Sequence, residues 1–279
     1  MKTFSPNLYI VSTPIGNLDD ITIRALDVLK KSDIILCEDT RRSIKLLNHF
    51  NIKKKLVSYH KFNEKKQTIK IIEYLNQGKI LSLISDAGTP VLSDPGKILV
   101  QKCIENNIKP ISIPGPSAIT AAMSLSGFDD KFLFYGFLPK TEKELEKKIS
   151  SLALLNYTLV FFISGVKIDF YLSFFKKYFT GRQIMIAREM TKIHETIYRS
   201  KVDNIDLFNS SIKGELTVII SEQALKTNLV NELNLKKQAK TYLKKYSLKD
   251  VVDLMVKKEN ISRKIIYKIC LNLKNENKN

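Results

Sequence analysis

The feature that most constrains this chain is a rhythm in its first half. Short β-rich runs recur at Leu8–Val11, Asp33–Cys37, Leu56–Tyr59, Ile80–Ile84 and Pro110–Ile113, and helical patterns fill the spaces between them. Strands that alternate with helices in this way form βαβ units, whose crossovers build a parallel sheet. The helical segments carry their own signals. Asp20 is placed to cap a helix with Ile23, Leu26 and Leu29 on one face, and Thr68 to cap another with Ile69, Ile72 and Leu75 inside and Gly78 at its end. A third runs from about Ile98 to Asn106 and turns Leu99 and Cys103 inward.

After about Ser126 the rhythm changes. Phe132–Phe137, Thr158–Ile163, Gln183–Arg188, Thr196–Ser200 and Leu216–Ile220 read as strands, and the last three leave little room for crossover helices, so mixed or antiparallel pairing is expected. Pro139–Ser150 is a charged helix or connector. From about Leu235 the chain is lysine-rich and helical. There Leu248, Val251, Val252, Leu254 and Met255, then Ile265, Ile266, Ile269 and Leu273, mark two short amphipathic helices, with Ser262 placed to cap the second. The expected organisation is a parallel α/β domain over residues 1–120, a mixed-sheet α/β domain over 121–223 that closes a cleft, and a basic helical tail over 224–279.

Composition narrows the class. With 279 residues, 44% hydrophobic and 27% charged, the chain can bury a sizeable core and is not disordered. Lys and Arg outnumber Asp and Glu by 46 to 28, giving +18. The 39 lysines against 7 arginines, with 19 asparagines, point to biased codon usage, yet the acids have not risen to compensate. A field of this sign favours polyanions, nucleic acid foremost. Three cysteines (Cys37, Cys103, Cys270) form no CxxC pair, which argues for a reduced compartment and against a disulfide scaffold or zinc ribbon. No HExxH or HxxxH pattern supports a metal. The apolar run Leu8–Val11 is too short for a signal peptide, and Leu152–Ile163, broken by Asn156 and Thr158, falls short of a membrane span. A cytoplasmic protein that does not enter membranes is expected.

The chemistry is expected at one rim of the first sheet. Pro14, Pro90, Pro95, Pro114 and Pro116 follow the first, fourth and fifth strands, and Gly16, Gly88, Gly96 and Gly115 join them. In an open parallel sheet the loops at the strands' carboxyl ends border the ligand crevice. Three such turns, Thr13–Asn17, Ser85–Pro90 and Pro114–Ala118, therefore converge on one edge. Neither GxGxxG nor GxxxxGK[ST] occurs, so the crevice suits a ligand without a polyphosphate: an adenosine, an amino acid, or both.

Several longer stretches carry a family resemblance. LYIVSTPIGNLDDITIRALDVLKKSDIILCEDTRRS, HKFNE (60–64), LISDAGTPVLSDPG, IPGPSAITAA, YGFLPK (135–140), AREMTKIHE (187–195) and KGE (213–215) resemble the tetrapyrrole methylase superfamily, and within it the branch of ribosomal RNA cytidine 2′-O-methyltransferases. The resemblance runs from about Leu8 to Ser221. It implies a two-domain α/β fold of the class III methyltransferases, S-adenosylmethionine as methyl donor in the cleft between domains, a homodimer, and a cytidine ribose in the decoding region of 16S rRNA, within the 30S subunit, as acceptor.

Carried over by position, it implies cofactor contacts at Pro14, Ile15 and Gly16, at Ser85, Asp86, Ala87 and Gly88, and at Ser117 and Ala118. Phe162, Ala187 and Gly214 would contribute from the second domain. Asp86 can pair with the donor's amino group or close an Asx-turn. One departure stands out: where the family shows a Phe-Tyr-Glu-Ser-Pro-His-Arg-like stretch, this chain reads FFISGVK (161–167), so that acid and imidazole are absent.

Methyl transfer to a hydroxyl gains from orientation and from a general base. Candidates for the base are Glu38, Asp39, His60, Glu64, Glu189 and Glu195, with Glu38 or Asp39 expected to act and Lys192 stabilising the alkoxide or holding a phosphate; each can equally be a cap or a surface ion pair. Arg41, Arg42 and Lys192 are expected to position RNA, since arginine's fork suits phosphate. The tail's LKKQAKTYLKKYSLKD can hold phosphates or serve solubility. Two other readings compete: a methylase of the same superfamily acting on a porphyrin or corrin, and a non-enzymatic RNA-binding module.

Overall fold

A computed structural model describes residues 5–206, 208, 212–223, 229–259 and 263–276. Residues 1–223 form one compact unit with two five-stranded sheets, and 224–279 a second unit. The first sheet holds β1 (Leu8–Val11), β2 (Ile34–Cys37), β3 (Lys55–Ser58), β4 (Leu81–Leu83) and β5 (Ile111–Ile113), in the order β3-β2-β4-β1-β5 and parallel throughout. Alternate strand residues face opposite ways. Leu8, Ile34, Leu36, Leu81 and Leu83 pack against α3 (Glu64–Asn76) and α4 (Lys97–Glu105). Tyr9, Val11, Ile35 and Cys37 pack against α1 (Ile23–Lys31) and α2 (Thr40–His49). The order sets the loops after β4, β1 and β5 side by side.

The second sheet runs β6-β7-β10-β8-β9, built from β6 (Phe132–Phe137), β7 (Thr158–Ser164), β8 (Gln183–Arg188), β9 (Thr196–Lys201) and β10 (Glu215–Ile220). Only β6 and β7 pair in parallel; the other neighbours are antiparallel. One face packs α6 (Glu142–Ala153) and α7 (Ile168–Tyr178) around Phe161 and Phe175. The other face receives Ile119 and Ala122 of α5 (Ala118–Ser126).

Two expected caps are corrected. Thr22, not Asp20, caps α1: its hydroxyl accepts from Ala25 N at 3.1 Å, while Asp20 ends a 3₁₀ turn, Leu18–Asp20. Ile23, the first helical residue, is exposed, and Ala25, Val28 and Leu29 form the buried stripe. Thr68 lies inside α3 and donates to Glu64 O at 2.7 Å. Thr68, Ile71, Ile72 and Leu75 make the inward face at helical spacing, which leaves Ile69 exposed.

The second unit contains α8 (Leu229–Leu243), α9 (Leu248–Glu259) and α10 (Arg263–Glu276). They share a core of Leu235, Ala239, Val251, Val252, Met255, Ile266 and Cys270, and Arg263 pairs with Asp253 at 2.6 Å. Ser262 and the side chain of Ile265 lie outside the described residues. Among the described residues no helix is long and apolar enough to cross a membrane, and no group of three or more His, Cys, Asp or Glu could hold a metal.

Candidate active site

The three proline- and glycine-marked loops are fastened to one another. Thr13 N donates to Gly88 O at 2.9 Å and Gly88 N to Thr13 O at 3.0 Å, an isolated bridge between loops 75 residues apart. The Thr13 hydroxyl donates to Ser85 O at 3.2 Å, and the Ser12 and Thr89 hydroxyls meet at 3.0 Å. Thr89 in turn donates to Pro116 O at 3.2 Å. Gly88 sits at φ 79°, where a side chain is strained, and a Cβ on Gly115 would stand 3.0 Å from Ser12 Cβ. This wall is rigid because its polar backbone groups are paired across loops.

The opposite wall comes from the second sheet and is held by close approach. Glu189 (φ 51°) and Thr191 (φ 64°) are non-glycine residues in the left-handed region, each costing about 1–3 kcal/mol. The Glu189 side chain fills the space a Gly214 Cβ would take and meets Lys192 Nζ at 3.0 Å. The Thr191 hydroxyl accepts from Asn17 N at 2.9 Å, which fastens the first loop to this wall. FFISGVK belongs to the same wall: Ile163 is buried in β7, and Gly165 N donates to Gly214 O at 2.8 Å with its Cα against the Ile212 carbonyl. Lys167 is exposed.

Between the walls lies a cleft of about 370 Å³, within the range of small-molecule sites. Of the expected cofactor residues, Ile15, Asp86, Ala87, Gly88, Ser117, Ala118, Phe162 and Ala187 line it. Pro14, Gly16, Ser85 and Gly214 are not among the lining residues; the Ser85 hydroxyl donates to Ala87 O at 3.1 Å and shapes the turn. Of the expected catalytic and RNA residues, Glu38, Arg42 and Lys192 line the cleft, whereas Asp39 and Arg41 do not. Asp39 caps α2 and takes a two-pronged contact from Arg41, at 3.0 and 2.7 Å. That guanidinium holds the Asp39 carboxyl down at about 2.

The cleft's charge opposes that of the chain. Glu38, Asp86, Asp94, Glu189 and Glu215 line it against Arg42 and Lys192, five acids to two bases in a protein of +18. Asp86 accepts from Asp39 N at 3.1 Å and pairs with Arg42 at 3.3 Å, so it closes the strand-to-helix corner and also faces the cleft. Burial, reinforced by the charge of Asp86, raises the Glu38 pKa. Asp94 is pushed up to about 7 by burial and then by Glu38, against a hydrogen bond from Ser85.

Sequence reasoning passed over Asp94, Glu215, Thr89 and Phe137 among the lining residues. The signal for Asp94 was the Asp-Pro-Gly turn at 94–96. With Phe137, Phe162, Met190 and Leu216 as an apolar floor, the cleft can hold a compact ligand that is part apolar and part cationic. α5 opens into it without a side-chain cap.

Comparison with known proteins gives a consistent picture. Residues 7–206 match the family described as Tetrapyrrole (Corrin/Porphyrin) Methylases. A Mesomycoplasma conjunctivae protein named Ribosomal RNA small subunit methyltransferase I is 48% identical over 213 residues, 76% of this chain and 89% of that one. A Rickettsia prowazekii protein of the same name is 42% identical over 268 residues, 94% of this chain and 95% of that one. Among solved structures, the methyltransferase CobJ superposes with a TM-score of 0.60 at 16% identity, covering 77% of this chain and 94% of its own. A uroporphyrin-III C-methyltransferase from Thermus thermophilus, complexed with S-adenosylhomocysteine, gives 0.57 at 13%, covering 77% and 97%. At such identities these two speak for the fold alone.

Proposed function

The chain belongs to the tetrapyrrole methylase family, and from that premise we propose that it transfers a methyl group from S-adenosylmethionine to the 2′-hydroxyl of a cytidine ribose (cytidine 1402) in the decoding region of 16S rRNA. It is an S-adenosylmethionine-dependent methyltransferase acting on small-subunit ribosomal RNA. Choice of the ribose oxygen, of this cytidine, of the 30S subunit as the form accepted and of a homodimer is the finer part of the proposal.

The observation that carries the reading is the inverted charge of the cleft. A sulfonium and an ammonium are welcome among Glu38, Asp86 and Glu215, while phosphates are drawn to the basic surface outside. S-adenosylmethionine supplies an already activated methyl group, so the protein's contribution is largely orientation, worth up to about 7–11 kcal/mol. In this proposal Ile15, Ala87, Gly88, Ser117 and Ala118 hold the donor from the first sheet's rim, and Phe162 and Ala187 from the second. Glu38 and Asp86 face its positive charges. Pro14, Gly16, Ser85 and Gly214 shape the loops behind those contacts. Arg42 and Lys192, at the lining, are suited to a phosphate flanking the target ribose. Asp39, outside the lining, caps α2 and makes an exposed ion pair with Arg41. The lysines of residues 224–279 add sequence-independent affinity, and a chain ending at Ser221 should bind RNA more weakly with a shallower salt dependence.

The test uses 30S subunits from a strain lacking the corresponding enzyme, incubated with the protein and labelled donor. Nuclease digestion and mass spectrometry should locate one labelled methyl on a cytidine ribose in the decoding region. Label on a base, or none on the RNA, overturns the proposal.

A further inference from the structure

We propose that Asp94 is the proton acceptor of the transfer, a role that rests on the function proposed above. The geometry singles this residue out. It lies in a turn between β4 and α4 that is bent at unusual cost: Val91 (φ 76°) and Ser93 (φ 70°) both occupy the left-handed region without being glycine. The turn is clamped from both sides. A Cβ on Gly96 would stand 2.8 Å from both Leu83 Cδ2 and Val91 Cγ2, and one on Gly136, in β6, would stand 2.7 Å from Ser93 Oγ. Two glycines without side chains thus let the turn press between the sheets, and the residue it delivers to the cleft wall is Asp94. Strained backbone that brings an acid to a ligand cleft is the signature of a functional placement.

Two of the four other acids of the cleft are held in ion pairs. Asp86 is paired with Arg42 and caps the Asp39 amide, and Glu189 is paired with Lys192. Asp94 is faced by Glu38 from the end of β2, by Asp86 and the Ser85 hydroxyl from the β4 loop, and by Glu215 from β10. Burial first, and then these three negative neighbours, disfavour its charged form, so its affinity for a proton sits near neutrality, at about 7. An acceptor tuned close to the working pH is most effective, because it is both deprotonated often and basic enough.

The ribose 2′-oxygen forms a bond to the methyl carbon, the carbon–sulfur bond breaks with its electron pair remaining on sulfur, and the hydroxyl proton passes to the Asp94 carboxylate. The sulfonium becomes a neutral thioether, and Asp94 returns its proton to solvent before the next turnover.

The experiment measures single-turnover methylation of 30S subunits against pH for the wild type, Asp94→Asn, Asp94→Glu and Glu38→Gln, with donor binding followed by calorimetry. Asp94→Asn should bind donor as the wild type does, lose at least about a hundredfold in rate, and lose the rise in rate near neutrality. Asp94→Glu should recover part of the rate. Glu38→Gln should keep the rise but move it to lower pH, since one repelling charge is gone. Asp94→Asn at near wild-type rate, or a pH profile abolished by Glu38→Gln and untouched by Asp94→Asn, overturns the assignment. A wild type inactive on every rRNA form, with donor still bound, instead overturns the function on which the assignment rests.

Discussion

The two walls of the cleft are built on different principles. The first sheet's wall is three loops hydrogen-bonded to one another, with Thr13, Gly88 and Thr89 as its knots. The second sheet's wall is held by close approach, with the Ile212 carbonyl against Gly165 and the Glu189 side chain against Gly214, and by Glu189 and Thr191 in left-handed conformations. A hydrogen-bonded wall yields gradually when one partner is lost, because each bond is worth about 0.5–1.5 kcal/mol. A wall made by close approach fails at once when a methyl group is inserted, because backbone has nowhere to go.

That contrast can be broken experimentally. Gly165→Ala should be the most damaging change, since its Cβ runs into the Ile212 carbonyl, which is backbone. A loss of about 3 kcal/mol in urea unfolding, with weakened donor binding, is expected. Gly16→Ala comes next. Its Cβ would stand 2.6 Å from Thr191 Oγ1 and 2.8 Å from Met190 O, so it pries the two walls apart at the Asn17–Thr191 hydrogen bond. About 1–2 kcal/mol of stability should go, with calorimetry showing a larger loss in donor affinity than in melting temperature. If Gly16→Ala proved worse than Gly165→Ala, the division between yielding and unyielding walls would be wrong.

Smaller effects sharpen the same picture. Asp94 has its proton affinity raised on folding, so its contribution is fully present below its unfolded value of about 4 and is lost as pH rises through about 7. Urea midpoints should therefore fall for the wild type relative to Asp94→Asn between those limits, and equal slopes for the two would show that the cleft does not desolvate this acid. Asp39→Asn should change least. Asparagine caps a helix as well as aspartate does, and Asp39 stands outside the cleft lining, so neither melting temperature nor methylation rate should leave the scatter of the wild type.

The difference between the walls also explains what could be read in advance. The hydrogen-bonded wall announced itself, because its turns need proline and glycine: Gly88 at φ 79° is a residue the chain must supply at that point. Strand positions were legible for a related reason, since their side chains are sorted by burial in a sheet covered on both faces. The second wall was less legible because Glu189 and Thr191 are not residues that mark a left-handed turn, and Gly214, against which the Glu189 side chain packs, lies on a different strand connection. Asp94 was hidden for an electrostatic reason. Its proton affinity depends on Glu38, Asp86 and Glu215, which are brought to it by three different strands. Cap errors at Asp20 and Thr68 were local: a neighbouring hydroxyl at Thr22 competed in one case, and an inward-facing threonine looked like a helix start in the other.

The strand order β3-β2-β4-β1-β5, with the second sheet closing over it, means that no short stretch of the polypeptide contains the cleft. Ile15, Gly88, Ser117, Glu189 and Thr217 come together only once the last edge strand has docked and β10 has threaded between β7 and β8. A nascent chain emerging from the ribosome consequently lacks a complete cleft until Thr217 has been synthesised, because Thr217 is the last of the lining residues along the chain. Ligand capture then reports that threading is complete, and protease resistance conferred by the donor should appear all at once rather than in stages.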